Sequence, residues 1–302
     1  MSAPRRAPRR KLDGVLLLDK PLGITSNTAL QIARRLLNAE KAGHTGTLDP
    51  LATGLLPLCF GEATKFAGEL LDADKAYEAT LKLGQTTTTA DAEGEVLQTR
   101  PVEVTRATLD AALQAHLGVI QQVPPMYSAL KRDGKPLYEY ARAGVELERE
   151  ARTVTIHGIK LIEWNGDSVR IAVDCSKGTY IRTLAEDIGE TLGCGAHLSA
   201  LRRTRIADIT LENSITLADL EVAVDRDAAL LPAEALLKEL PAAQLDSQGS
   251  QRMLHGQSVQ WPAAAETAVG QRFRAYTDDG RFIGLCQLDT EGYLAPKRLV
   301  AL

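Results

Sequence analysis

The amino-acid sequence predicts an α+β fold: a mixed, largely antiparallel sheet flanked by helices, with a small β-rich domain at the C-terminal end. Three observations predict it. Apolar and polar residues alternate over Tyr77–Leu83 and again over Val169–Cys175, the pattern of half-buried strands. Stretches of helical spacing fall among these segments without a regular strand–helix–strand rhythm, which argues against a doubly wound sheet. From about residue 246 the helical patterns give way to short apolar runs separated by turn signals.

Taken in order, Gly14–Asp19 is a short apolar strand that runs into the turn signal Lys20-Pro21-Leu22-Gly23. Ser26 is placed to cap a helix whose apolar residues Ala29, Ile32, Ala33, Leu36 and Leu37 keep helical spacing, and Arg34 and Arg35 suit its C-terminal dipole. A Gly/Thr-rich stretch, Gly43–Gly54, precedes an apolar segment and a helix expected near Thr64–Leu71. Thr105–Leu117 reads as a helix ended by Gly118, and Ile181, Leu184, Ala185, Ile188 and Leu192 trace another stopped by Gly193. Residues 208–239 read as helical and acidic. The tail offers Arg272–Thr277, a turn at Asp278-Asp279-Gly280, Arg281–Leu288 and a turn at Glu291-Gly292.

The 302 residues carry 35 Lys plus Arg against 39 Asp plus Glu, a net charge of −4 that by itself speaks against a polyanion partner. Its distribution changes that. Residues 1–205 hold 27 basic and 25 acidic side chains, whereas 206–302 hold 8 and 14, and the deficit comes from 208–239 with 8 acidic and 2 basic. An outward helical face there would leave the first two thirds free to bind a polyanion. Met1–Arg10 is Arg/Pro/Ala-rich with no apolar core and reads as a solvated basic tail rather than a secretory signal. No apolar run approaches the roughly 18 residues of a membrane helix. The four cysteines show no C-x-x-C spacing and no two histidines stand at i, i+4, so neither a disulfide framework nor a metal site is expected, and a reducing cytoplasm is the natural setting.

The densest chemistry lies in Gly43-His44-Thr45-Gly46-Thr47-Leu48-Asp49-Pro50-Leu51-Ala52-Thr53-Gly54. No lysine follows these glycines in phosphate-loop fashion. On its own, Asp49-Pro50 reads as a helix N-cap, a simple turn, or a carboxylate on a tight loop that a ligand can approach. Taken alone, His44 is a surface or packing residue, Tyr77 a core aromatic and Lys20 a solvated turn lysine.

Together with its companions this stretch resembles the catalytic-aspartate motif of the TruB-type tRNA pseudouridine synthases, G-H-x-G-x-L-D-P-x-A-x-G. Asp74-Lys75-x-Tyr77 leading into Leu83-Gly84-x-x-Thr87-x-Thr89-x-Asp91-x-x-Gly94 is similar to the family's second motif. Pro125–Lys131 with Leu137–Arg142 resembles its RNA-contacting insertion, and Cys175–Thr183 its arginine motif. Leu198–Arg203 includes the apolar residue bordering the base pocket. The motifs keep family order over roughly residues 12–205, and Thr88 stands where the family often has an acidic residue.

The resemblance implies a pseudouridine synthase core over residues 12–245, with an RNA-binding thumb at 124–152, a PUA-like domain at 246–302 and a disordered tail at 1–11. It implies that Asp49 is the catalytic carboxylate, acting as nucleophile, base or both. Arg182 would hold Asp49 in its ionised form, and Tyr77 would pack on the target uracil and serve in proton transfer at C5. Tyr180 and Leu201 would wall the pocket, His44 would enter the RNA beside the flipped base, and Lys20 would line the cleft. Lys131 and Arg142 would meet phosphates from the thumb. The implied reaction converts the T-loop uridine at tRNA position 55 to pseudouridine without metal, cofactor, guide RNA or obligatory protein partner. A monomer is expected. The alternative is a tRNA-binding and folding module with catalysis secondary or lost.

Overall fold

The computed structural model describes residues 8–301. β1 (Gly14–Lys20) is followed by α1 (Ser26–Leu36), β2 (Ala42–His44) and β3 (Ala52–Phe60). β1 and β3 pair antiparallel along their whole length, from Gly14 opposite Phe60 to Lys20 opposite Gly54. The runs Val15–Leu18 and Leu55–Phe60 are apolar, as strands buried on both faces require. Leu16, Leu18, Leu56 and Leu58 point into one core, and Val15, Leu17, Leu55 and Cys59 into another behind the sheet. A 3-10 helix at Gly61–Leu70 takes the place of the helix expected at Thr64–Leu71.

β4 (Lys75–Leu83) buries every second residue, as its alternation requires. A hairpin of β5 (Gln85–Thr87) and β6 (Val96–Thr99) precedes α2 (Arg106–Ala115), which a Thr105–Thr108 capping box starts. α2 ends at Ala115, and Gly118 opens β7 (Gly118–Gln122) instead of closing the helix. The segment that follows carries a hairpin of β8 (Lys131–Arg132) and β9 (Lys135–Pro136), then α3 (Leu137–Arg142). β10 (Arg152–Asn165), β11 (Ser168–Cys175), α4 (Ile181–Thr191) and β12 (Ala196–Ile206) complete the central layer.

Residues 208–239 do not form the expected acidic helical face. Threonines at 210 and 216 cap and restart the chain, and Pro232 interrupts it, so only short pieces form. They are β13 (Ile209–Thr210), β14 (Ile215–Thr216), α5 (Leu217–Val222) and β15 (Leu230–Leu231), with 3-10 turns at Leu211–Asn213, Asp227–Ala229 and Ala233–Leu237. β14 and β15 both pair with β1.

Among the described residues the main sheet has eleven strands, in the order β14-β1-β3-β12-β4-β11-β10-β7, with β2, β13 and β15 attached at its side. Two of its pairings, β1 with β14 and β3 with β12, are parallel and the rest antiparallel. Helices α1, α2 and α4 bring apolar faces to one side of this sheet.

A second sheet is built from β16 (Ala242–Gln244), β17 (Val259–Gln260), β18 (Arg272–Tyr276), β19 (Phe282–Leu288) and β20 (Tyr293–Leu299), with α6 (Ser247–Leu254) packed on it. It therefore takes in Ala242–Gln244, upstream of the residue-246 boundary read from composition. Phe282 and Leu285 from this sheet complete the core behind β1 and β3, and Phe282 meets Phe66 edge-on at 5.5 Å. The basic tail is not free over its described part. Arg10 bridges to Ala39 and pairs with Asp227 at 2.5 Å; the preceding residues 1–7 lie outside the described residues.

Candidate active site

Asp49 sits in the connection between β2 and β3, and three local features hold it there. Thr25, not Ser26, is the N-cap of α1 and accepts from Thr28 N at 3.0 Å. Ser26 lies inside the helix, where its Oγ accepts from Leu48 N at 2.7 Å and donates to Leu48 O at 3.0 Å. Pro50 O accepts from Gly23 N at 2.9 Å, and Asp49 O closes a turn with Ala52 N at 3.0 Å. The carboxylate is thus left with no helix to cap. At the far end, Gly54 has φ +97° and a Cβ there would stand 2.3 Å from Arg203 O, so only glycine lets β3 approach β12.

Arg182 is the second residue of α4, whose N-cap Tyr180 is tied to Gln122 through a 3.0 Å bond to Oε1 and a 3.3 Å bond from Nε2. A guanidinium in the first turn of a helix opposes the macrodipole. Two carboxylates offset that here. Arg182 Nη2 lies 3.0 Å from Asp49 Oδ2, and Nη1 lies 3.6 Å from Asp91 Oδ2. Arg182, only 6 % exposed, also donates to Thr89 O at 3.2 Å and to Tyr127 O at 2.6 Å. One side chain therefore joins the aspartate loop, the hairpin after β4 and the root of the 124–152 segment.

Asp49 keeps 43 % of its side chain accessible, yet it stands in a recess, and burial is the strongest influence on its carboxyl. Burial, with help from the charge of Asp91, raises its pKa above the ordinary value; Arg182 and Lys20 oppose the rise without cancelling it. Lys20 is 0 % exposed, the reverse of a solvated turn lysine. Its ammonium donates to Pro21 O at 2.9 Å and Ile24 O at 2.7 Å, and burial lowers its pKa to about 8 against the pull of Asp49 and Glu93.

Tyr77 lies on β4, opposite Val173 on one side and Arg203 on the other. Burial raises its phenol pKa, and the neighbouring Arg203 guanidinium opposes the rise. Arg203 is 2 % exposed and donates from Nε to Leu55 O at 2.8 Å. Leu201 follows on β12, opposite Ala79 of β4 and Ala52 of β3, which sets it beside Tyr77. Burial also raises the Tyr180 phenol, which feels the charges of Arg182 and Asp49. His44 ends β2; burial and Arg203 lower its imidazole pKa, with a Gly46 backbone bond opposing. Asp49 thus has Arg182 and Lys20 as charged neighbours, with Tyr77 and Tyr180 near enough to feel its charge, Leu201 two positions before the Arg203 that pairs with Tyr77, and His44 at the end of β2. Lys131 and Arg142 stand apart, exposed on the 124–152 segment, where Arg142 lies over the Tyr138 ring at 5.4 Å.

Asp91 and Arg203 were not singled out from the sequence. Asp91, 3 % exposed, accepts from Thr89 Oγ1 at 2.5 Å and Glu93 N at 3.1 Å. The signal was present in the Thr89-x-Asp91-x-x-Gly94 stretch, because a buried acid needs a partner and Arg182 was the available cation. Thr88, at a position expected to be acidic, instead accepts from Glu95 N at 3.1 Å and closes the same turn. Among the described residues there is no group of three or more His, Cys, Asp or Glu arranged to hold a metal ion, and no helix is long and apolar enough to cross a membrane.

The family model described as TruB family pseudouridylate synthase, N terminal domain, matches residues 34–181. Models of the tRNA pseudouridylate synthase B C-terminal domain and of the pseudouridine synthase II TruB C-terminal region match residues 182–238 and 241–300. A curated relative from Burkholderia mallei, named tRNA pseudouridine synthase B, is 59 % identical over 99 % of this chain and 97 % of its own length. Another of that name from Aromatoleum aromaticum is 59 % identical over 98 % and 95 %. Among solved structures, a chain of an H/ACA ribonucleoprotein bound to a substrate RNA containing 2'-deoxyuridine superposes with a TM-score of 0.73 at 25 % identity, covering 96 % of this chain and 85 % of that one.

Proposed function

The chain belongs to the TruB family of pseudouridylate synthases, and from that membership we propose that it isomerises the T-loop uridine at position 55 of tRNA to pseudouridine. The observation that carries the reading is the 3.0 Å contact between Asp49 and the buried Arg182, with the Tyr77 and Tyr180 phenols close enough to feel the Asp49 charge. Names of near full-length relatives support tRNA as the substrate.

A stacked uridine offers no access to its glycosidic bond, so the nucleotide must leave the stack. Tyr77, Tyr180 and Leu201 supply walls for the extruded base, and an aromatic face compensates part of the lost stacking. Asp49 then acts at the sugar as the C1′–N1 bond breaks. The ring turns, C1′ bonds to C5, the C5 proton leaves and N1 gains one, so composition is unchanged and no external oxidant or reductant enters. Arg182 and Lys20 favour the anionic carboxylate in a cleft that expels water. Tyr77, whose phenol burial holds more firmly in its protonated form, exchanges a proton at C5 in this reading.

Residues 124–152 act as a thumb that presents Lys131 and Arg142 to phosphates. Residues 240–302 hold six charges of each sign, and this small neutral tail favours an enzyme that acts without guide RNA; a cytoplasmic monomer belongs to the same reading. The test is tritium release from 5-tritiated uridine in a tRNA transcript, wild type against Asp49→Asn. Wild-type protein that binds tRNA and releases no tritium would leave a tRNA-binding module as the reading. Equal release by both proteins would remove Asp49 from its role.

A further inference from the structure

Arg203 is a cation almost without solvent and without an acid. It is 2 % exposed, donates from Nε to Leu55 O at 2.8 Å, and leaves Nη2 with no hydrogen-bond partner among the described residues. Burial lowers its pKa, and among the described residues the group that opposes this is the Tyr77 phenol rather than a carboxylate. A buried charge with neither an ion pair nor a full set of hydrogen bonds is costly to fold. An anion that arises at the site only during turnover accounts for it.

The topology sets Tyr77 against this cation. Tyr77 of β4 and Arg203 of β12 are direct partners of an antiparallel pair, and residues so opposed project to the same face. Arg203 is held in place by β3 through Leu55, and a Cβ on Gly46 of the aspartate loop would stand 3.9 Å from its Nη1. The other groups bearing on Tyr77 act in the opposite sense. Burial raises the phenol most, Cys175 of β11 and the charge of Asp49 add to the rise, and Arg203 opposes it. Lys75, two residues earlier on β4, is taken up by the carbonyls of Leu70, Leu71 and Ala73. Burial lowers its pKa to about 8, and the charge of Arg203 lowers it further, so Lys75 adds repulsion and no counter-charge.

We propose that Arg203 is a positioning residue of the reaction, the fixed counter-cation of a Tyr77 phenolate that forms and disappears within one turnover. This deepens the reading of Tyr77 as proton carrier at C5 and rests on it. When the C1′–N1 bond breaks, its electron pair stays on N1. Tyr77 Oη gives its proton to that nitrogen: the O–H bond breaks, the N1–H bond forms, and the phenolate is left beside Arg203. After C1′ has bonded to C5, the C5–H bond breaks, its electron pair restores the C5–C6 double bond, and the proton returns to Oη. Tyr77 ends as it began. A guanidinium already fixed in a buried place stabilises the intervening charge far better than water would.

The test combines Arg203→Met and Arg203→Lys with Tyr77→Phe. It reads kcat and KM from tritium release, and tyrosinate absorbance in an alkaline titration, where Tyr77→Phe identifies the Tyr77 contribution. Arg203→Met is expected to lower kcat about 100-fold at unchanged KM, the size of a lost acid–base contribution. Arg203→Lys keeps a cation on a more flexible stem and should lose only about tenfold. In the Tyr77→Phe background either Arg203 substitution should add less than about twofold, because the two residues act as one unit. The Tyr77 titration should move to higher pH in Arg203→Met, since the cation favouring the phenolate is gone. Thermal melts identify the folded variants, and if Arg203→Met does not fold, Arg203→Lys carries both comparisons. Losses that multiply across the two positions, a loss confined to KM, or an unmoved Tyr77 titration would overturn the role of Arg203. Full release by Tyr77→Phe would overturn the Tyr77 reading and this role with it. Absence of release from wild type would instead overturn the catalytic reading, while the titration would still decide whether Arg203 governs the Tyr77 phenol.

Discussion

At the scale of single residues, the cleft is organised by one guanidinium that serves two acids. Because burial raises the Asp49 carboxyl, acidification removes its charge sooner than for an ordinary aspartate. Activity is therefore expected to fall with decreasing pH, beginning above the usual carboxylate range. Arg182→Met, which deletes the strongest opposing influence, should move that acidic limb to still higher pH as well as lowering kcat; a pH–rate profile of both proteins checks the shift. Asp91→Asn leaves Arg182 one carboxylate short, and loss of a charge-assisted interaction of about 1.5–3 kcal/mol predicts a drop of roughly 10- to 100-fold in kcat/KM with tRNA affinity retained. Legibility at this scale followed burial. Asp49, Tyr77 and Arg182 were read through their motifs, but no spacing could reveal the Asp49–Arg182 contact, which depends on β3 and α4 converging across the sheet. Lys20 follows a strand and precedes Pro21, so local sequence marks a surface turn. Its ammonium instead turns inward onto the carbonyls of Pro21 and Ile24, which no local pattern announces.

At the scale of elements, short polar side chains inside apolar segments set the geometry of the loop. Ser26→Ala removes both bonds to Leu48 and leaves a buried N–H without its acceptor. The expected cost is about 1–3 kcal/mol in a denaturant melt, with a kcat loss that a surface serine substitution would not produce. Gly54→Ala should be worse, since the added Cβ cannot be accommodated 2.3 Å from a backbone oxygen; little folded protein is the expected yield. Strands with one buried face, β4 and β11, were plain in the sequence because their alternation is the trace of that face. β3 carried no such trace, being apolar on both sides. The 208–239 segment misled because frequent leucines and alanines mimic a helix, whereas Thr210, Thr216 and Pro232 divide it into pieces too short to sustain one.

At the scale of the whole molecule, the two sheets share a core. Phe66 is fully buried where the 3-10 helix meets Phe282 and Leu285, so Phe66→Ala should cost about 3–5 kcal/mol and lower the melting temperature of the chain in a single transition. The net charge of −4 gives no hint of the exposed basic residues Lys131 and Arg142 on the 124–152 segment, since it averages over surfaces that face different ways. The aspartate loop runs from β2 into β3, which pairs end to end with β1, both β1 and β3 being buried on both faces. Amide protons so paired and buried are expected to exchange with solvent only through global opening. In deuterium the slowest-exchanging amides should accordingly lie in β1 and β3, immediately beside Asp49, so that heating is expected to loosen the 124–152 segment and the surface hairpins well before it disturbs the aspartate.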